Sequence, residues 1–114
     1  MTQRKRAESV SKVIDRMVRR IVRKFHPDKI ILFGSQARGN ATEDSDVDLL
    51  VIMPVRREEK QDVEIAIAGV LHDIFVSKDI LVASPEEFQR RRDIVGTVPY
   101  AANAEGKVLY ARPI

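Results

Sequence analysis

The alternation of apolar and polar residues divides the chain into helices and short strands. Apolar residues recur at three- and four-residue steps from Val10 to Phe25, which predicts an amphipathic helix over about residues 6–25. Pro27 disfavours helical backbone at His26, so we expect the helix to end there. The next segment, Lys29 to Phe33, is short, apolar and β-branched, and it predicts a buried strand.

The middle of the chain predicts a second strand, a helix and a third strand. Asp46 to Met53 forms the second strand, and both of its faces are apolar beyond Asp48, so it is expected to be central and covered on both sides. Asp79 to Ala83 predicts the third strand. The helix between them carries one apolar stripe, formed by Val63, Ala66, Ile67, Val70, Leu71, Ile74 and Phe75.

The last third predicts a capped helix start at Ser84-Pro85, a short helix over Pro99 to Glu105 and a final strand at Lys107 to Tyr110. The order of elements describes an α/β (α+β) fold, with helices packed on a small mixed sheet. With 114 residues, the chain has the size of one domain, which we expect to span residues 1–114 and to include the N-terminal helix.

Composition excludes several classes of protein. The chain has no cysteine, so disulfides and thiolate metal sites are excluded, and no apolar run approaches the roughly 20 residues of a membrane span. We therefore expect a soluble, cytoplasmic protein that does not contact a membrane. Residues 1–28 hold nine Lys and Arg against three acids, a pattern that more often marks a solvated helix face than a nucleic-acid site. Nucleic acid is thus not an expected partner.

Two aspartates open the second predicted strand. Asp46 and Asp48 stand two positions apart, so their side chains point to the same face, with Cα atoms about 7 Å apart. Two carboxylates on one face repel each other unless a cation neutralises them, and oxygen ligands of this kind suit magnesium or manganese. The alternative is that Asp46 belongs to a loop with Asp44 and that Asp48 is a solvated strand end.

A Gly-Ser turn follows the first predicted strand. Such a turn, feeding a short helix, aims backbone N–H groups at an anion such as a phosphate. Gly34 allows close approach, Ser35 adds a hydroxyl donor, and Arg38 can add a positive charge. A lone Gly-Ser dipeptide is mostly structural. The specific feature is the combination: an apolar strand, Gly-Ser, ten intervening residues and Asp-x-Asp opening a second apolar strand.

These motifs closely resemble the DNA polymerase β-type nucleotidyltransferase superfamily. Within it, the chain is most similar to the minimal nucleotidyltransferases that serve as antitoxins beside a helical toxin of the HEPN class. The resemblance covers most of the chain and rests on GSQARG from Gly34, SDVDLLV from Ser45, the acidic third strand at Asp79 and the closing GKVLY from Gly106.

The resemblance implies a catalytic site with two magnesium ions. Asp46 and Asp48 would bridge the metals, with manganese as an alternative ion, and Asp79 would complete the ligand set on the acceptor side. The Gly34 amide and Ser35 would hold the β- and γ-phosphates of the nucleotide, and Arg38 would balance their charge. For Asp79, an ion pair with Lys78 or another basic neighbour is the competing interpretation.

The resemblance also implies a function. We expect transfer of AMP from ATP to a hydroxyl of the partner HEPN toxin, with tyrosine as the expected acceptor, so that the protein acts as an antitoxin. Two alternatives stay open: an enzyme that modifies a small molecule such as an aminoglycoside, and a non-catalytic antitoxin that masks its partner. Assembly with the toxin or with further copies of the chain also stays open.

Neither histidine is expected to take part in catalysis. His26 ends a helix before a proline, and His72 adjoins the apolar stripe of the second helix, where we expect it to be half exposed.

Overall fold

The computed structural model describes residues 9–42 and 44–113. The longest helix has 16 residues, and no helix of these residues combines the length and the apolar character that crossing a membrane requires. A short 3-10 turn, Arg57–Glu59, precedes the third helix. In chain order the elements are α1 (Val10–Phe25), β1 (Lys29–Phe33), α2 (Ser35–Arg38), β2 (Val47–Ile52), α3 (Lys60–Val70), β3 (Lys78–Ala83), α4 (Pro85–Arg91), α5 (Val98–Glu105) and β4 (Lys107–Ala111).

Helix α1 begins and ends at defined caps. The Ser9 hydroxyl accepts a hydrogen bond from the Lys12 N–H at 3.3 Å, so α1 begins at Val10. Residues 6–8 of the predicted helix lie outside the described residues. At the other end His26 adopts a left-handed conformation, with φ of 49°, and its N–H donates to the Val22 carbonyl. The predicted end of the helix is therefore confirmed.

The strands form one mixed sheet in the order β3-β2-β1-β4. Strand β1 pairs antiparallel with β2 and with β4, whereas β2 pairs parallel with β3 across the α3 connection. The predicted α/β fold class is confirmed, and so is the central position of β2. Strand β3 forms one edge of the sheet and β4 forms the other.

Helices cover the two faces of this sheet unequally. Helices α1 and α3 pack on one face, which we call the α1/α3 face, and α4 and α5 pack on the other, the α4/α5 face. The buried residues of the α1/α3 face are Ile14, Met17, Val18, Ile21, Ile30, Leu32, Ala37, Val47, Leu49, Val51, Ile67, Leu71, Ile74, Ile80 and Val82. Those of the α4/α5 face are Ile31, Phe33, Leu50, Ile52, Ala83 and Ala102.

The apolar stripe that the sequence predicts for the helix between the second and third strands, which is α3, is wrong at two positions. Phe75 is 97% exposed, and Ala66 is also exposed. Helix α3 ends at Val70, where the Leu71 N–H donates to the Ala68 carbonyl and tightens the last turn. Beyond that point the helical period no longer sets side-chain directions, so Phe75 leaves the core while Leu71 and Ile74 remain buried.

Candidate active site

The turn between β1 and α2 packs directly against the Asp48 carboxylate. Gly34 has φ of 74° and ψ of −159°, a conformation that residues with a Cβ rarely adopt. A Cβ at this position would lie 2.2 Å from the Asp48 Oδ2 atom. The β1–β2 register produces this proximity, because it pairs Asp48 with Phe33, the residue before the glycine. Glycine is therefore required here for both its conformation and its lack of a side chain.

Three aspartates meet at the same end of β2 and β3. The parallel register pairs Asp48 with Asp79, which puts the two residues side by side on the α4/α5 face. Asp46 precedes β2 by one residue, and its carboxylate accepts a hydrogen bond from the Ser77 hydroxyl. The Ser77 carbonyl also accepts from the Val47 N–H at 2.9 Å, so the segment before β3 holds the segment before β2 in place.

The ion pair that competed with a metal role for Asp79 is not formed with its neighbour. The Lys78 ammonium donates instead to the carbonyls of Ile74 and Val76, at 2.8 and 3.3 Å. Asp79 itself is exposed. Over residues 9–42 and 44–113, no three His, Cys, Asp or Glu side chains are arranged as a ready metal site. The metal role of the three aspartates thus stays a prediction.

The electrostatics of the cluster disfavour a negative charge on Asp48. Partial burial raises the pKa of its carboxyl, and the charges of Asp79 and Asp46 raise this pKa further. The positive charge of Arg38 acts in the opposite direction. A divalent cation would relieve both the burial and the repulsion, and carboxylate oxygens are ligands that magnesium accepts. These residues therefore fit the metal that the sequence predicts.

Arg38 has a partner that the sequence analysis missed. Its guanidinium donates to the Glu105 Oε2 atom at 3.0 Å, and both side chains are a little under half exposed. Gly106 fixes the position of Glu105, since a Cβ there would lie 2.2 Å from the Ala102 carbonyl oxygen and 2.5 Å from Ile31 Cγ2. The glycine after a short helix was the available signal, because it marks a tight turn against β1.

Ser35 begins α2, as the sequence predicts. The N–H groups of Ala37 and Arg38 donate to the Gly34 carbonyl, whereas the Ser35 and Gln36 N–H groups belong to the first turn, where helices lack internal partners. The Ser35 hydroxyl makes no hydrogen bond with another residue of the described ranges, and the residue is half-buried. Donors for an anion are thus present beside Asp48.

Neither histidine contacts the aspartates within the described part of the chain. His26 caps α1, and the His72 Nδ1 atom lies 2.8 Å from the Gly69 carbonyl oxygen. His72 is exposed, and it lies just after the end of α3.

Comparison with known proteins identifies the family of this chain. The model of the nucleotidyltransferase domain family matches residues 14–106, most of the chain. This chain belongs to the nucleotidyltransferase domain family. The match includes α2, all three aspartates and Glu105, and it ends at Gly106, the first residue of the closing GKVLY motif. The predicted nucleotidyltransferase family is therefore confirmed.

Two relatives from Methanocaldococcus jannaschii resemble part of this nucleotidyltransferase chain. Both are named putative protein adenylyltransferases. One is 46% identical over 59 residues, which are 47% of this chain and 40% of that relative. The other is 44% identical over 54 residues, 44% of this chain and 54% of that relative. The similarity thus spans about half the length of the curated relatives.

Solved structures share the fold of this nucleotidyltransferase at low sequence identity. A putative nucleotidyltransferase from Sulfolobus solfataricus superposes with a TM-score of 0.60 at 18% identity, over 89% of this chain and 79% of that one. A mutant of the toxin–antitoxin complex MntA–HpeT superposes with a TM-score of 0.51 at 16% identity, over 86% of this chain and 73% of that one. These similarities confirm the nucleotidyltransferase fold.

Proposed function

We propose that this chain transfers AMP from ATP to a hydroxyl of a partner protein. One observation carries the proposal: the Asp48 carboxylate lies so close to Gly34 that only glycine fits, with Asp79 beside it in the sheet. In this arrangement, donors that could bind a triphosphate would lie beside carboxylates that could bind a metal. The names of the two archaeal relatives support protein as the acceptor class.

The Gly-Ser turn would bind the nucleotide. The Gly34 amide and the Ser35 hydroxyl would hold the β- and γ-phosphates, because the first turn of α2 carries N–H groups without helical partners. The Arg38 guanidinium would balance the phosphate charge, and it would exchange or share its bond with Glu105 when the nucleotide enters. These residues orient the triphosphate for attack at its α-phosphorus.

The three aspartates would hold two magnesium ions, for which manganese could substitute. The ions would neutralise charge on the phosphates and lower the pKa of the attacking hydroxyl. Asp46 and Asp48 would be ligands of these ions. Burial and the charges of Asp79 and Asp46 raise the pKa of Asp48, and a cation would offset both effects. Asp79 would serve the acceptor side.

The remaining chemistry requires positioning of the acceptor and removal of one proton. The acceptor oxygen forms a bond to the α-phosphorus, the bond from that phosphorus to the bridging oxygen breaks, and pyrophosphate leaves. The hydroxyl proton passes to Asp79, which is exposed at the start of β3 and free to face the acceptor. Histidine is not needed for any of these steps.

We further propose that the acceptor is a tyrosine of a HEPN-class toxin and that this protein acts as its antitoxin. The motifs that resemble minimal nucleotidyltransferases support this assignment. The fold shared with one component of a toxin–antitoxin complex is compatible with it. Modification would then neutralise the toxin covalently.

Mass spectrometry of the acceptor tests the proposal. A purified HEPN-class helical protein is incubated with the chain, ATP and magnesium, and a mass gain of one or more AMP units is expected. Asp48→Asn is the inactive variant, and Asp44→Asn, an exposed loop aspartate, is the matched control. Binding of the partner without mass gain would favour a masking antitoxin. AMP transfer to an aminoglycoside alone would favour the small-molecule enzyme.

A further inference from the structure

The outer edge of β3 exposes backbone hydrogen-bonding groups. The carbonyls of Ser77 and Ala83 accept hydrogen bonds from the N–H groups of Val47 and Met53. The backbone N–H and C=O groups of the odd-numbered residues of β3 therefore point towards β2. Successive residues of a strand point their backbone groups to opposite edges, so the backbone N–H and C=O groups of Lys78, Ile80 and Val82 point away from β2, towards the open edge of the sheet. The Val82 N–H bonds the Glu64 carboxylate at 2.9 Å, which confirms that direction.

A groove of about 660 Å³ runs between this edge and α3. Ala68 and Ile65 of α3 line one side, and Ile65 is 63% exposed. Val76 and Ile80 line the other side. Glu64 covers the edge only at Val82, so the N–H groups of Lys78 and Ile80 face the groove. An unpaired edge beside apolar side chains is the surface to which an extended peptide adds as a strand.

The groove leads into the candidate active site. Asp79 lines it and also adjoins Asp48 in the sheet. A chain that added to β3 would therefore bring one of its side chains to the acceptor side of the aspartate cluster. Two other surface depressions of the described residues have none of the three aspartates in their lining.

Charge indicates which extended segment fits the groove. Two carboxylates line it, from Glu64 and Asp79. Among the described residues that line it, Lys78 is the only cation, and its ammonium is held by two carbonyls of its own turn. A segment with a basic residue near its hydroxyl complements this charge.

We propose that this groove binds an extended, basic segment of the acceptor protein as an added strand beside β3, with its hydroxyl-bearing residue next to Asp79. The inference rests on the proposed function and adds to it how the acceptor is recognised. Main-chain hydrogen bonds to Lys78 and Ile80 supply affinity, and the contact with Ile65 supplies selectivity for an apolar neighbour.

Synthetic tyrosine peptides of about ten residues, the upper length of a common strand, serve as the probe. One peptide has basic and apolar flanking residues, and a second has acidic ones. With ATP and magnesium, AMP transfer to the basic peptide is expected, with weaker transfer to the acidic one. Ile65→Lys should raise KM for the basic peptide about tenfold, because it removes an apolar contact and adds a positive charge that repels the basic residues of the peptide. Ile94→Lys, at an isoleucine 51% exposed outside the groove, should leave KM unchanged.

Hydrogen exchange provides a readout that does not depend on catalysis. The amides of Lys78 and Ile80 should exchange more slowly when the basic peptide is bound to the wild-type chain, whereas the Val82 amide should change little, since Glu64 already bonds it. Equal KM values for wild type and Ile65→Lys, or unchanged exchange at Ile80, would overturn the inference.

The failure of this inference and the failure of the proposed function give different results. If no peptide is modified while magnesium and ATP still raise the melting temperature, the acceptor does not bind as an extended strand, and the proposed transfer to a folded protein stands. If magnesium and ATP cause no rise, the nucleotide site itself is wrong.

Discussion

The two faces of the sheet differ in what their residues contribute. On the α1/α3 face, fifteen buried apolar residues of the described chain form a continuous core. On the α4/α5 face the core has six, and the strand ends on that side carry aspartates instead. The Asp48–Asp79 pair stands where apolar cover ends. Burial on the α1/α3 face therefore stabilises the fold, whereas the α4/α5 face carries a cluster of carboxylates whose repulsion destabilises it.

This division has a physical reason. A cluster of carboxylates destabilises a fold unless a ligand neutralises their charge. The strand that carries the cluster must therefore be held in place by contacts that do not involve the carboxylates. Strand β2 has such contacts, because its alternate residues Val47, Leu49 and Val51 are fully buried on the α1/α3 face.

Removal of the acceptor-side carboxylate should affect catalysis almost alone. Asp79→Asn should lower AMP transfer at least about 100-fold, because no carboxylate remains there to accept the proton of the acceptor hydroxyl. The affinity for magnesium and ATP should stay within a few fold of wild type. Single-turnover transfer and equilibrium nucleotide binding measure the two quantities. Asp93→Asn, an exposed aspartate after α4, is the control. Transfer within a few fold of wild type would limit the catalytic set to Asp46 and Asp48.

Truncation of the core should separate the faces by stability. Met17→Ala, at a side chain with no exposure on the α1/α3 face, should lower the free energy of unfolding by about 2–5 kcal/mol, since it leaves a cavity. Phe88→Ala on the α4/α5 face should have a smaller effect, because Phe88 is only half-buried. Urea denaturation measures both variants. A larger loss for Phe88→Ala would contradict the proposed division.

Neutralising Asp48 should stabilise the protein without metal. Burial and neighbouring carboxylates raise the pKa of Asp48 in the folded state, so its ionisation costs stability as pH rises above the ordinary value of 3.8. Asp48→Asn should therefore melt a few degrees above wild type at neutral pH in a chelator, and this difference should vanish at pH well below 3.8. The same variant should lose most of the rise in melting temperature that magnesium and ATP cause.

Loss of the turn hydroxyl should weaken nucleotide binding modestly. Ser35→Ala with Gly34 retained removes one donor, so the Kd for ATP with magnesium should rise about three- to tenfold. Calorimetric titration measures the change, and thermal unfolding without ligand should be nearly unaffected. If the variant instead loses soluble expression, Ser35 has a structural role.

The smallest effect should come from the surface ion pair that joins α1 to the turn after α3. The Arg20 guanidinium bonds both carboxylate oxygens of Asp73, and this contact lowers the pKa of Asp73 to about 2. A lowered pKa stabilises the fold above pH 3.8 and ceases to do so as pH falls towards about 2. Asp73→Asn should therefore melt slightly below wild type at pH 7 and equal it near pH 2. A difference independent of pH would indicate lost packing instead.

Much of the fold followed from local patterns. The bounds of β1, the short helix after Gly34 and the proline-capped α4 all agreed with sequence expectations, because backbone conformation there depends on near neighbours. The expectation for Phe75 failed, since the end of α3 depends on how the chain turns back towards β3. A helical period extended past that end still predicts the burial of Leu71 and Ile74 but misplaces Phe75.

The sequence by itself determined that Gly34 follows a strand and that Asp48 lies near the start of the next strand, because strand periodicity and glycine conformation are local properties. Only the tertiary structure decided that Asp79 lies beside Asp48, since a parallel register is set by packing across the α3 connection. It also decided that Glu105 meets Arg38, 67 positions away in the chain, because the tight turn at Gly106 docks α5 against β1. Local spacing fixes which atoms a segment presents, whereas contacts between distant segments fix where those atoms meet.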